Sequence, residues 1–225
     1  MLYKICYFFL LFFIYSILGW IVEVVNAYMK EKKFVNRGFL IGPYCPIYGH
    51  GVVLITILLK NYTDNFLVLF ILSMAICMVL EYITSYLMEV LFKARWWDYS
   101  NKKFNINGRV CLETTIPFGL CGLLIMYVLN PIFTGWLNKI PEKVLIVIAV
   151  ILMILMLCDY VLSFLVILKV KNVKLGKIRD NTEEINRRVH EYLAKHSRWT
   201  KRLDDSFPNL RGKKERFRFK KKKDK

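Results

Sequence analysis

The chain has 225 residues, 56% of them hydrophobic, and 34 Lys and Arg against 17 Asp and Glu, a net charge of +17. A mean hydropathy of +0.38, with several apolar runs near the roughly 20 residues that carry a helix across a bilayer, excludes an ordinary soluble domain. The charge is uneven: 21 of the 34 basic residues lie from Lys169 onward. The expectation is one membrane domain and a basic tail beside anionic lipid headgroups, with no nucleic-acid partner, because no aromatic-interleaved basic fold is visible.

Lys4 precedes an apolar run from Ile5 that resembles a signal peptide. No small-residue cleavage site follows and the run continues to Val25, so it reads as an uncleaved first span, about residues 5–28. A charged loop, Lys30 to Arg37, leads to a second segment at residues 39–60. Pro43 and Pro46 interrupt its first half, since proline lacks a backbone donor and clashes with the preceding turn. An irregular start is therefore predicted, then helix from about Tyr48; such backbone is tolerated in a membrane where protein or a watery cavity covers it. The third span is residues 66–92, the fourth about 110–129, ended by Asn130-Pro131, and the fifth about 143–168 after Pro141-Glu142. The fold class is thus all-α, a polytopic helical bundle of about five spans over residues 1–170, with a basic cytoplasmic tail over 171–225. In the tail, Thr182, Ile185, Val189, Tyr192, His196, Trp199 and Leu203 mark one face of an amphipathic helix, about residues 180–204. From about residue 208, ten basic and few apolar residues predict disorder.

Basic residues alternate between connections. Lys30, Lys32, Lys33 and Arg37 follow the first span, and Lys93, Arg95, Lys102, Lys103 and Arg109 follow the third. The second is followed by Lys60 alone, the fourth by Lys139 and Lys143. This predicts an N-terminus outside and a C-terminus in the cytoplasm. The six cysteines are scattered, with no C-x-x-C and no zinc spacing, so neither disulfides nor a structural zinc site is expected.

The informative residues are the acids inside spans: Glu23, Glu81, Glu89 and Asp159. A charge in hydrocarbon costs several kcal/mol, so such residues face protein or water and mark a pathway or site. Glu81 and Asp159 each lie roughly 15 Å from the cytoplasmic end of their helices at 1.5 Å per residue. They are expected at similar depth, as a shared site or a pair. Glu81, Ser85 and Glu89 are four apart and share one helical face. The polar loop between the third and fourth spans contains Asp98 and Asn105, and its Asn107-Gly108 reads as a turn. With the fourth span starting near Arg109, Arg109 and Glu113 are one helical step apart and are expected to pair. Trp96, Trp97 and Tyr99 suit the membrane interface, Glu89 is within reach of Lys93, and His50 beside Gly49 and Gly51 reads first as a packing residue.

Three blocks in order, YSILGWIVEVV, NRGFLIGPYCPIYGHG and EVLFKARWWDYSNKKFNINGRVCLE, resemble the family described as "Putative ABC-transporter type IV", the CmpB-like membrane proteins, over about residues 5–170. The matching positions include Gly19, Trp20, Glu23, Asn36, Arg37, Gly42, Pro43, Pro46, Tyr48, Trp97, Asp98, Tyr99, Asn105, Gly108 and Arg109. The resemblance implies a multi-pass protein of the bacterial cell membrane and a permease role. No Walker-type loop, H-E-x-x-H or G-x-S-x-G is present, so a permease would draw on a separate ATPase subunit or an ion gradient. Five spans are few for a pathway, which points to a homodimer.

The leading expectation is a transporter subunit with a polar, acidic cavity open to the cytoplasm, in which Glu23, His50, Glu81, Glu89, Asp98, Asn105, Arg109, Glu113 and Asp159 are the candidate ligand-binding residues. No cofactor is expected. The alternative is a membrane enzyme on a lipid or lipid-linked phosphate, where carboxylates with Arg109 would hold a divalent metal. A further alternative is a non-catalytic membrane partner.

Overall fold

The computed structural model describes residues 1–32, 36, 38, 40–92, 95 and 97–171, the side chains of residues 30, 31, 92 and 166–171 excepted. The tail helix expected at residues 180–204 and the segment from 208 lie outside them. The described residues fall within one unit, Met1–Asn186.

Apolar side chains all round make each long segment a helix, because helix satisfies every backbone group within the segment. The first, α1 (Leu2–Glu31), closes on Lys32 in the left-handed region, φ 53°, whose N–H donates to Tyr28 O. The chain then doubles back irregularly. Cys45 N–H donates to Ser16 O at 2.8 Å, and α2 (Pro46–Leu58) begins with Pro46 in its first turn, where a missing N–H costs nothing. The helix starts two residues ahead of the expected Tyr48. Its 13 residues span only about 20 Å at 1.5 Å per residue, short of the roughly 30 Å of hydrocarbon.

A short 3₁₀ turn, Lys60–Tyr62, leads to α3 (Phe66–Phe92). Two short antiparallel strands follow, β1 (Asn105–Ile106) and β2 (Val110–Cys111), with Asn105 opposite Cys111 and Ile106 opposite Val110. Next are α4 (Leu112–Leu124) and α5 (Asn130–Leu137), joined by a π-type turn at Ile125–Leu129, and last α6 (Glu142–Lys171). Asn130-Pro131 therefore does not end the fourth span. The Asn130 N–H donates to Ile125 O across the wider π turn. That extra width accommodates the proline ring, which in a regular helix collides with the carbonyl four residues back. The helical path runs on to Leu137.

Among the described residues, four segments are long and apolar enough to cross a membrane: Leu2–Met29, Phe66–Leu91, Leu112–Leu137 and Glu142–Leu165. The bundle is apolar outside and partly polar inside. Leu67, Ile71, Val79, Ile83 and Leu87 of α3 and Val147, Ile151, Ile154, Leu157 and Val161 of α6 are exposed, while Ser16, Ser73, Thr115, Asn130 and Ser163 are buried. Apolar surface on this scale would not survive in water. Against lipid it costs nothing, and small polar residues inside let helices approach closely. The chain is an all-α, multi-pass membrane protein. One core cluster joins Cys6, Leu10 and Leu11 of α1 to Val52, Leu137, Leu145 and Ala149. Another joins Ile55 and Leu59 to Leu69. Between them, buried Asn130 accepts from Tyr15 Oη at 2.9 Å and donates to Thr56 Oγ1 at 2.7 Å, tying α1, α2 and α5 together.

Candidate functional site

The polar groups gather where the segment between α3 and α4 folds back on the bundle. This segment is a stiff hairpin. Asn107 and Gly108 both have positive φ, 53° and 68°, the pattern of a tight turn that matches strand twist. Arg109 N–H donates to Ile106 O at 3.0 Å, and Tyr99 N–H to Gly108 O at 2.7 Å. Asn105 holds the interior: its Oδ1 accepts from Gly108 N–H at 2.9 Å and its Nδ2 donates to Lys102 O at 2.8 Å. Asp98 accepts from Ser100 N–H at 3.0 Å. A side chain at Gly108 would run into those of Ser100 and Asp98.

The hairpin docks on the face of α3 that carries Glu81, Ser85 and Glu89, and it makes two distinct contacts there. The outer one is ionic. Glu89 pairs with Arg109 at 2.7 Å and with Arg95 at 3.2 Å, and Arg95 reaches Asp98 at 3.7 Å. Arg109 is buried; its guanidinium lies 5.7 Å and 5.4 Å from the ring centres of Tyr82 and Tyr86, where a cation meets the negative faces of both rings. It also donates to Ser85 Oγ at 3.4 Å, and Trp97 Nε1 donates to Arg109 O at 2.9 Å.

The inner contact is acidic. Tyr99 Oη donates to Glu81 Oε1 at 3.2 Å. Glu81 is only 6% exposed, and its Oε2 is buried without a hydrogen-bond partner. Glu23 of α1 lies within electrostatic reach of both Glu81 and Tyr99, and Tyr48 of α2 donates a hydrogen bond to Glu23. Gly19, one helical turn before Glu23, makes that bond geometrically open: the Tyr48 ring lies directly over it, where any Cβ would collide. Burial first, and then the Glu81 charge, hold the Tyr99 phenol well above its ordinary value, so it remains a donor. Among the described residues no Lys or Arg pairs with Glu81 or Glu23; the ion pairs belong to Glu89, Asp98 and Glu113.

Asp159 sits elsewhere. One oxygen accepts from Ile41 N–H at 3.1 Å and Ser163 Oγ at 2.9 Å, the other from Gly42 N–H at 2.8 Å and from Tyr44 Oη. It fixes the irregular segment before α2 onto α6 and shares no hydrogen-bonding partner with Glu81. The expected Glu81–Asp159 pair is not formed.

The expected Arg109–Glu113 pair is also absent. Val110 and Cys111 are in β2, so Arg109 precedes the helix and turns to Glu89, and Glu113 instead meets Lys102 at 2.9 Å on the exposed side. Of the residues expected as interface anchors, Tyr99 turns to Glu81 of α3 and Trp97 bonds back to Arg109 O within the hairpin; Trp96, like Lys93, lies outside the described residues. His50 is apart from the site, with Nδ1 2.8 Å from Pro46 O and its ring edge-on to Phe12. Among the described residues no three His, Cys, Asp or Glu side chains converge as metal ligands. Tyr44 and Tyr48 are not among the candidate ligand-binding residues of the sequence, although Tyr48 is one of the positions that match the family; a tyrosine in an apolar run shows no role until its acid partner is known.

A model of the family described as "Putative ABC-transporter type IV" matches residues 10–164. The chain belongs to this family. The match covers both acidic contacts, the hairpin and the Asp159 staple. No curated protein and no solved structure matches the chain. As a member of the family, it presents a polar site made by α1, α2, α3 and the hairpin, with two carboxylates, two phenolic donors and a hairpin clamp of opposite charge beside them. Such a site can attract positive charge and exchange protons.

Proposed function

We propose that this chain is the membrane-spanning subunit of a transporter in the bacterial cell membrane, and that the Glu81–Glu23 site receives a cationic solute or coupling ion from the cytoplasmic side. The observation that supports this most is the bare buried oxygen of Glu81 beside a second carboxylate that has no basic partner among the described residues. A structural acid would have been satisfied, as Asp159 is, because an unpaired buried charge costs several kcal/mol. The basic loop residues Lys30, Lys32, Lys33 and Lys102, Lys103 support the assignment of the hairpin end to the cytoplasm. Energy would come from a separate ATPase subunit or an ion gradient, and the pathway from a homodimer. The basic tail would lie on anionic headgroups.

The lipid-phosphate enzyme is the weaker reading. Its cationic groups, Arg95 and Arg109, are engaged by Glu89, and no three-ligand metal group forms among the described residues.

Inverted membrane vesicles from cells carrying the full chain keep any native partner subunits. Labelled cationic solutes, offered with ATP or with an imposed gradient, are expected to enter unaltered in a chain-dependent way. Uptake is expected to fall at least about tenfold in Glu81→Gln, a loss of about 1.4 kcal/mol of transition-state stabilisation. Wild-type uptake by that variant, or recovery of a chemically altered solute, overturns the reading.

A further inference from the structure

Glu81 and Glu23 are unlike in one respect that matters for a coupling ion. Glu81 is buried, with one oxygen held by Tyr99 and the other bare. Glu23 is partly buried and takes a hydrogen bond from Tyr48. The two phenols are themselves within electrostatic reach of each other. The titratable groups that face Glu81 are Glu23 from α1, Cys77 from its own helix and Tyr99 from the hairpin, and those that face Glu23 include Tyr48 from α2 and Cys45 just before it. Cys121 of α4 faces Cys77, and Arg109 is occupied by Glu89.

Two carboxylates with no cation between them among the described residues are costly in a low dielectric, since like charges at short range cannot both persist. A metal ion would need several converging oxygens or nitrogens, and the described side chains do not gather three such acidic or imidazole groups. A proton needs one.

We propose that Glu81 and Glu23 hold one exchangeable proton between them, stored on the bare Oε2 of Glu81 and passed to Glu23 past the hydroxyls of Tyr99 and Tyr48. In the transfer the Glu81 O–H bond breaks and an O–H bond forms on Glu23. Glu81 becomes the carboxylate, Glu23 the acid, and the pair keeps a net charge of −1 throughout. Glu23, being only partly buried, then exchanges with water. The inference deepens the transport reading by naming the coupling ion, and rests on that reading only for the use made of the proton.

The test is infrared spectroscopy of the full chain in lipid nanodiscs, with no solute present. At neutral pH the unmodified protein is expected to show a protonated-carboxyl carbonyl band that is lost in Glu81→Gln. Glu81→Asp, which keeps the acid on a shorter stem, is expected to shift the band. In Glu23→Gln and Tyr48→Phe the band is expected to persist but to exchange with deuterium at least several-fold more slowly. Absence of the band in the unmodified protein, or its survival unchanged in Glu81→Gln and Glu81→Asp, overturns the proposal; so does a band that responds to added Na⁺ but not to pH. Unchanged exchange in both Glu23→Gln and Tyr48→Phe overturns the transfer route. A clear band in a protein that moves no solute would sink the transport reading alone, and solute uptake by a protein without the band would sink this inference alone.

Discussion

Asp159 and Glu81 are both carboxylates set into apolar helices, and their surroundings are opposite. Asp159 has hydrogen-bond donors on both oxygens, two of them backbone N–H groups of the segment that leads into α2. Glu81 has one donor, a phenol delivered by a hairpin, and one oxygen with nothing. The contrast separates two uses of a membrane acid. Where backbone cannot be helical, an acid can serve as the anion that collects its orphaned N–H groups, and the irregular stretch becomes as fixed as a helix. Where an acid is left short of partners, the fold carries a cost that packing alone does not explain.

If the contrast is sound, the largest effect on stability comes from the satisfied acid. Asp159→Ala orphans the Gly42 N–H and the Tyr44 hydroxyl and leaves the Ile41 N–H with Ser163 Oγ alone, at 3.2 Å, and is expected to cost roughly 3 kcal/mol or more. Thermal unfolding in detergent should show it, with accelerated proteolysis between α1 and α2. A loss below about 1 kcal/mol would mean that the staple is unimportant and would break the comparison on this side.

Next in size is the hairpin clamp. Arg109→Ala removes the ion pair to Glu89 and the stacking on Tyr82 and Tyr86, but Arg95 still neutralises Glu89. The expected cost is about 2–3 kcal/mol. Arg109→Lys keeps the charge without the planar stack and is expected to recover only part of it. Recovery to wild type would show that charge alone seats the hairpin.

These two regions also show what the sequence could and could not reveal. Asn107-Gly108 announces its turn because few other dipeptides accept two positive φ values. Glu81, Ser85 and Glu89 share a face by spacing alone, and the structure uses that face. The partners were not legible. Arg109 reads as the start of a helix until two short strands, too brief to leave a periodic pattern, turn it toward α3. Asn130-Pro131 has the chemistry of a stop, but the π turn before it lets the helix continue. Asp159 and Glu81 look alike in sequence because burial and spacing are all that one strand of text records; the N–H groups that satisfy Asp159 belong to residues more than a hundred positions away.

A smaller effect is expected at the contact between hairpin and acid. Tyr99→Phe removes a single hydrogen bond to Glu81 and should cost about 1 kcal/mol. The phenol is held well above its ordinary value by burial and by Glu81, and a group that stays protonated in both states at neutral pH adds no pH dependence there. Stabilisation from this bond persists below the ordinary tyrosine range. Through the alkaline range above it, an unfolded chain that ionises freely pulls stability down with rising pH. In Tyr99→Phe that alkaline loss should be smaller. An identical alkaline slope in the two proteins would show that Tyr99 is not buried against Glu81.

The smallest expected effect on stability is the most informative. Glu81→Gln replaces the under-satisfied acid by a neutral group of the same shape. The amide oxygen can still accept from Tyr99, and the amide, like the protonated acid, carries no charge beside Glu23. Were Glu81 a structural acid like Asp159, neutralising it would cost a few kcal/mol, because charge-assisted hydrogen bonds are worth about 1.5–3 kcal/mol each. As a site acid that already holds a proton it should cost nothing: the variant is expected to unfold within about 0.5 kcal/mol of wild type, since one neutral group replaces another of the same shape. Asp159→Asn, the same chemical change at the staple, should lose stability in parallel measurements. Unfolding curves for the two amide variants in one detergent decide the matter. Equal losses would make both acids structural and leave the site without its carrier; a loss at Asp159 alone, with uptake impaired at Glu81 alone, is the result that the two environments require.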